Sequence, residues 1–228
     1  GTRKIRRCRL RRLGSDPVEC EQALRTMIDD GVLGILIFVL LAVLVAVKRV
    51  ATGSILDRPE GSLLVQAVNV FNLFFLLVVN PLAGVLLATG RLVAIDPSHL
   101  AIDEPWLRAT VQIVGLAAYV IGIAVMAWAL VALQRNYQLG GLTPRPEDRM
   151  VTSGPYRVIR HPMYAAVLSI AFGLACLTQS LIGLAVLGIY LVLIHLLIPI
   201  EEARLLSAYG ESYAAYRRDT RRLVPFVC

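Results

Sequence analysis

A chain of 228 residues that is 57% hydrophobic, with a mean hydropathy of +0.69, is too apolar to fold as a water-soluble domain. Its apolar runs are continuous and of bilayer length rather than alternating, which selects membrane-spanning helices over a barrel. The net charge of +7 belongs to one segment: residues 1–13 hold seven Lys/Arg and no acid, and the rest of the chain carries 16 residues of each sign.

That basic tail suits anionic lipid headgroups, each cation near the surface contributing about 1 kcal/mol. Nucleic acid is not an expected partner, because no aromatic platform or binding motif accompanies the charge. The four cysteines, Cys8, Cys20, Cys176 and Cys228, form no CxxC pair and no zinc spacing, and the histidines His99, His161 and His195 are scattered, so no metal site is expected. No cleavable signal is read, since the first apolar run starts only after residue 30.

In chain order, Asp16-Pro17 resembles an N-cap followed by a first-turn proline, and predicts a short surface helix to Asp30. Residues 1–30 thus form a tail region. Three spans are expected within residues 31–133. The first covers Gly31–Val47 and ends at Lys48-Arg49; a turn at Asp57–Gly61 follows. The second covers Leu63–Ala88, carries Gln66, Asn69 and Asn72 at intervals of three along one face, and should kink at Asn80-Pro81. Amides on such a face either pack against a neighbouring helix or line a substrate cleft, which makes Asn69 and Asn72 candidates for substrate contact. The third covers Ala109–Leu133, after a loop whose Trp106 suits the membrane interface.

Residues 134–228 form a further region: a polar connection Gln138–His161, a short fourth span Met163–Leu177, and a fifth, Leu181–Ile200. The break Thr178-Gln179-Ser180 permits only a tight antiparallel hairpin. The hairpin returns the chain to the side it left, so the segment after residue 200 should lie beside residues 138–162. With five spans, the loops and tail on that side hold 13 Lys/Arg against ten on the other. The positive-inside rule makes the first side cytoplasmic, although it then leaves the basic N-terminus outside. The expected architecture is all-α: an integral membrane bundle of about five helices with a polar loop and a C-terminal helix at one rim.

Two polar segments carry the chemistry. Gly154-Pro155-Tyr156-Arg157-Val158-Ile159-Arg160-His161-Pro162-Met163-Tyr164 is stiffened by two prolines and leads into an apolar helix. Glu201-Glu202, followed by Tyr209, Tyr213 and Tyr216, puts two carboxylates where the last helix leaves the membrane. Together they supply the cations Arg157, Arg160, Arg217 and Arg221, the two carboxylates, four tyrosines and His161. Such a set would hold a zwitterionic aromatic ligand: carboxylates for an ammonium or a diol, arginines for a carboxylate, ring faces for a cation or a base. His195, inside the fifth span and seven residues before Glu202, should share its face and is a further substrate-binding candidate. Phosphate loops, dinucleotide-binding glycines, HExxH and a nucleophile elbow are all missing from the sequence.

Ser153-Gly154-Pro155-Tyr156-Arg157-x-x-Arg160-His161-Pro162-x-Tyr164, a hairpin, then Glu201-Glu202-x-x-Leu205-x-x-x-Tyr209-Gly210-x-x-Tyr213-x-x-Tyr216 and Arg222-x-x-Pro225 resemble the isoprenylcysteine carboxyl methyltransferase family and its phospholipid N-methyltransferase relatives. The resemblance covers residues 130–228. It implies an integral membrane methyltransferase using S-adenosylmethionine, with Tyr156, Arg160, His161, Tyr164, Glu201, Glu202, Tyr213 and Tyr216 around the cofactor. It also implies that Arg160, His161 and Glu202 act in catalysis, His161 being the first candidate for a base where the acceptor must lose a proton. The chain departs from the family at Tyr209, where phenylalanine is common, and at Ala166, where glycine is common and where the change should slightly reshape the cofactor pocket. The expected acceptor is lipophilic or membrane-delivered, with a carboxyl, phenol, amine or thiol to methylate. The Arg-, Ala-, Val- and Leu-rich composition looks bacterial, which places the protein in the inner membrane with the cofactor site toward the cytoplasm. The competing expectation is a non-catalytic transporter or partner-binding subunit that keeps the scaffold. The oligomeric state is left open.

Overall fold

The computed structural model describes residues 29–57 and 61–223. The basic segment 1–13, most of the expected surface helix, residues 58–60 of the expected turn, and Pro225 lie outside the described residues.

Five long helices alternate in direction. Helix α1, Asp30–Thr52, starts at Asp29, whose carboxylate accepts from Gly31 N at 2.8 Å, and ends at Gly53 in the left-handed region, φ 81°. Asp29 and Asp30 thus open the first span rather than closing a surface helix. Helix α2, Leu63–Ala88, runs without a break but relaxes to a π-helical turn over Phe75–Val79. Pro81 cannot donate to the preceding turn, and the wider turn accommodates that loss. Asn80 secures it: its Nδ2 donates to the Phe75 carbonyl at 2.9 Å, and its Oδ1 accepts from Tyr119 Oη at 2.9 Å. Tyr119 belongs to α3, Pro105–Leu133.

Helices α4, Pro162–Thr178, and α5, Leu181–Tyr209, form the hairpin; only Gln179 and Ser180 separate them. Gln179 is left-handed at φ 50°, and Ser180 caps α5 through Gly183 N. The loop before α3 closes over this turn, with Leu100 N donating to the Gln179 carbonyl at 2.7 Å and His99 Nδ1 3.0 Å from the Thr178 carbonyl. His99 is therefore at the far rim from both polar segments. A short α6, Glu211–Asp219, completes the chain order.

Small residues set the helix spacing, as expected where lipid supplies no hydrophobic drive between helices. A Cβ on Gly34 of α1 would meet the Gly84 carbonyl at 2.4 Å, and one on Gly173 of α4 would meet the Gly115 carbonyl of α3 at 2.7 Å. Ala166 belongs to this seam. It is 1% exposed, and its carbonyl lies 2.9 Å from where a Gly122 Cβ would stand. The expectation that Ala166 reshapes a pocket is thus corrected: it faces α3, and Gly122 supplies the room.

Among the described residues, four helices are long and apolar enough to span a membrane; α4, with 17 residues, is the shorter fifth. At 1.5 Å per residue α4 measures about 25 Å, under the ~30 Å hydrocarbon thickness. Helix α5 has 29 residues. From the shared hairpin it outruns α4 by about three turns, and those turns stand beside residues 154–161. Helix length alone therefore sets Glu201 and Glu202 against the Pro-rich loop.

Candidate active site

Gly154 opens a 3-10 turn, Gly154–Arg157, with φ 62°. A side chain there would be strained and would also meet Trp128 Nε1 at 3.2 Å. The turn buries Pro155 and Tyr156 and leaves Arg157 exposed. The chain then pairs with the C-terminal segment: Arg160 N donates to the Arg221 carbonyl at 2.7 Å, His161 N to the Arg222 carbonyl at 3.0 Å, and Arg221 N to the Val158 carbonyl at 3.3 Å. Pro162 begins α4 immediately after.

Glu202 is 4% exposed and collects the cations. Its Oε1 accepts from Arg160 Nε at 3.1 Å and lies 3.4 Å from His161 Nε2; its Oε2 accepts from Arg222 Nη2 at 3.2 Å and lies 3.9 Å from Arg217 Nε. Arg160 also donates Nη1 to the Arg217 carbonyl at 3.0 Å and to that of Thr220. Breaking a buried pair of this kind costs about 3–5 kcal/mol, because one charge is left uncompensated.

Glu201, its neighbour, faces the other way. Its Oε2 accepts from Tyr164 Oη and from Gly141 N at 3.2 Å, and its Oε1 lies 3.8 Å from His161 Nδ1. His161 is held between the two carboxylates and stacks on Tyr164, with ring centroids 5.5 Å apart.

A cavity of about 480 Å³ opens on this arrangement, within the range of small-molecule sites. Its polar end is lined by Tyr156, Arg160, His161, Tyr164, Glu201, Tyr213 and Tyr216, joined by Tyr137, Gly140, Gly141 and Asp148 from the connection before the motif. It continues into an apolar limb between α1, α2 and α3, lined by Phe38, Leu41, Leu73, Leu76, Leu77, Pro81 and Met126. Tyr213 is 1% exposed, and its hydroxyl is buried without a partner among the described residues. Tyr216 donates its hydroxyl to the Tyr156 carbonyl at 2.7 Å. Burial pushes the Tyr216 phenol up to about 12, with Arg160 and Thr220 opposing. Burial, then Glu201, pushes that of Tyr156 well above the usual tyrosine value. Both phenols are neutral hydrogen-bonding groups at physiological pH.

The structure brings together seven of the eight expected cofactor residues as cavity lining and sets Glu202 behind them. That is a correction: Glu202 holds Arg160, His161 and Arg222 in place and does not itself line the cavity. Asn69 and Asn72 line it; Gln66 is exposed and bonds the Gly61 carbonyl. His195 is also corrected. It is exposed on the outer surface of α5 and is not among the lining residues. The buried residues of α5 are Tyr190, Ile194, Leu197, Ile198 and Glu202, of which Tyr190, Ile194, Ile198 and Glu202 follow as a stripe at intervals of four. Each four-residue step turns about 40° around the helix. By the level of Glu202 the stripe has rotated onto an azimuth that at His195 still faces outward. Of the expected cations, Arg157 points away and Arg221 serves through its backbone, whereas Arg222 makes the direct ion pair.

Gly140 and Gly141 were not singled out from the sequence. Gly140 accepts from Asn69 Nδ2 at 3.1 Å; Gly141 donates to Glu201 and accepts from Arg204 Nη1. A glycine doublet inside a long polar connection is the signal that pointed to them.

The fold and site define a helical membrane protein with a ligand cavity that is polar at one rim and apolar toward the bilayer interior. Residues 110–212 match the phospholipid methyltransferase family, and this segment is similar to that group of membrane proteins. It is 29% identical over 132 residues to a probable protein-S-isoprenylcysteine O-methyltransferase of Oryza sativa subsp. japonica, covering 55% of this chain and 65% of that protein. It is 25% identical over 134 residues to the nickel-cobalt-cadmium resistance protein NccN of Alcaligenes xylosoxydans xylosoxydans, covering 59% of each. It is 27% identical over 127 residues to the cobalt-zinc-cadmium resistance protein CzcN of Cupriavidus metallidurans, covering 56% and 55%. The chain thus spans less than two thirds of the length of these relatives. The structure of the eukaryotic intramembrane Ras methyltransferase ICMT is similar at a TM-score of 0.49 and 16% identity, over 82% of this chain and 74% of that one. Among the described residues, no group of three or more His, Cys, Asp or Glu is placed to hold a metal ion.

Proposed function

We propose that the protein is an S-adenosylmethionine-dependent methyltransferase acting on a lipophilic acceptor that reaches it from the bilayer. The observation that carries this reading is a continuous cavity that joins a polar end built from both motifs to an apolar limb between α1, α2 and α3.

The polar end suits a zwitterionic, aromatic, cationic group. The buried hydroxyl of Tyr213 has no partner among the described residues, so a ligand that hydrogen-bonds there relieves an unsatisfied group. Glu201 Oε1 is a carboxylate oxygen free to take an ammonium or a ribose hydroxyl, its other oxygen being committed to Tyr164 and Gly141. Tyr156 and Tyr216 offer ring faces to a cation. When bound, S-adenosylmethionine supplies an electrophilic methyl group. The chain's own residues then have to orient and to keep water out, since methyl transfer needs mainly alignment. The Glu202 cluster makes the wall rigid, and the buried tyrosines exclude water. Where the acceptor carries a proton, His161 is the first candidate for the base that removes it. By the distribution of Lys and Arg, the site faces the cytoplasm of a bacterial inner membrane.

The test is S-adenosylmethionine binding by the detergent-solubilised protein, followed by transfer of a labelled methyl group to a total lipid extract. Folded protein that binds no S-adenosylmethionine sinks the reading and leaves a non-catalytic scaffold.

A further inference from the structure

Asn69 and Asn72 lie one turn apart on α2 and both line the cavity, yet only one has its amide committed. Asn69 is 1% exposed and donates to the Gly140 carbonyl at 3.1 Å. Asn72 Oδ1 is buried and has no hydrogen-bond partner among the described residues. Three residues of helix separate the two by about 4.5 Å along the axis. Gly140, the partner of Asn69, lies directly against Tyr164 Oη: a Cβ on it would stand 2.1 Å from that oxygen. Asn69 therefore marks the level at which Tyr164 meets Glu201. Asn72 is one turn deeper, and the cavity around and beyond it is lined by Phe38, Leu41, Leu73, Leu76 and Leu77.

An amide oxygen without a partner in such surroundings is costly, and a helix interface would be better served by leucine at this position. The cost is recovered when a ligand brings a donor. Resting on the methyltransferase reading above, we propose that Asn72 is a specificity-determining residue for the acceptor. The acceptor is an amphiphile with a hydrogen-bond donor, a hydroxyl or an N–H, close to its methylated group and an apolar chain beyond. A plain fatty acid or alkylthiol, apolar from its first carbon, leaves Asn72 unpaired and binds less well. Asn69 donates its Nδ2 to the Gly140 carbonyl and so holds that loop.

The experiment uses the full chain in detergent, saturated with S-adenosylmethionine, and matched amphiphiles differing in one donor: 2-hydroxydodecanoic acid against 2-methoxydodecanoic acid, and 1-amino-2-dodecanol against 1-amino-2-methoxydodecane. Affinities come from ligand-induced shifts in thermal unfolding. The unmodified chain should prefer the hydroxyl member of at least one pair by roughly tenfold, the scale of one hydrogen bond to a buried group. Asn72→Leu should reduce that preference below about twofold while leaving S-adenosylmethionine affinity unchanged. Equal affinity within both pairs overturns the inference, as does a preference that survives in Asn72→Leu. The unmodified chain alone reads the ratio, so the test stands even if the variant folds poorly. Failure of the unmodified chain to bind S-adenosylmethionine would instead overturn the reading beneath it.

Discussion

Arg160 donates Nε to Glu202 Oε1 at 3.1 Å, with both side chains less than a tenth exposed. This contact ties the residue before His161 to the last turns of α5, 42 positions later. Arg160 in turn grips the carbonyls of Arg217 and Thr220, so one ion pair fastens both motifs and the C-terminal segment. Glu202→Ala should therefore lower stability by about 3–5 kcal/mol and abolish S-adenosylmethionine binding. Protease cleavage should appear first within residues 217–223, and peptide mapping of limited digests checks this. Global unfolding with no preference for that segment would show that the pair merely supports the bundle.

Gly140 gives a sharper separation of site from fold. A methyl group there would overlap Tyr164 Oη, whose bond to Glu201 it must displace. Gly140→Ala should reduce S-adenosylmethionine affinity at least tenfold, since 1.4 kcal/mol suffices, with the helical circular dichroism intact. Gly53→Ala is the control. Gly53 has φ 81° and nothing within 4 Å of a Cβ, so that change should cost about 1 kcal/mol of backbone strain and leave binding alone.

The two-segment site was legible in the sequence because its causes are local. Prolines stiffen the 154–164 loop, a two-residue turn reverses the helix, and the helix lengths bring Glu201 level with Tyr164. The Leu63–Ala88 span was equally legible, its apolar residues outweighing the amides Gln66, Asn69, Asn72 and Asn80. What escaped depends on partners far along the chain. The π turn is stabilised by Tyr119, 39 residues beyond Asn80. Gly140 and Gly141 owe their role to Asn69, Glu201 and Arg204 on two helices. Adjacent glutamates differ by about 100° of helix, and only tertiary packing decides that Glu201 meets the cavity while Glu202 stands behind it. His195 failed for the same reason, because a seven-residue repeat assumes a straight stripe and the stripe on α5 winds.

Tyr213 tests whether the polar end of the cavity is built for a ligand. Its hydroxyl is buried and unpartnered, so Tyr213→Phe removes a group that contributes nothing favourable to the fold. Thermal stability should hold or rise slightly, and S-adenosylmethionine affinity should fall about five- to twentyfold, the scale of one hydrogen bond. A titration of both proteins measures it. Unchanged affinity would reduce Tyr213 to a packing residue.

Asp57 supplies a pH dependence outside the two motifs. It lies in the connection after α1, where Lys48 Nζ reaches it at 2.6 Å and Ser54 Oγ donates to it at 2.6 Å. Burial works to raise its pKa, but the Ser54 hydroxyl and the Lys48 ammonium outweigh that and hold it below the ordinary aspartate value. A depressed folded-state pKa means that stability is fully present above the unfolded value of about 3.9 and is lost as pH falls through the lower folded value. Chemical denaturation in detergent should therefore show a constant gap between the unmodified chain and Asp57→Asn from pH 7 down to about 4.5. The gap should close below about pH 4, as the carboxylate is protonated. The pair is part-exposed, so the gap should be small and should shrink in high salt. A gap that widened on acidification would mean that Asp57 is held protonated, and would rule out the ion pair with Lys48.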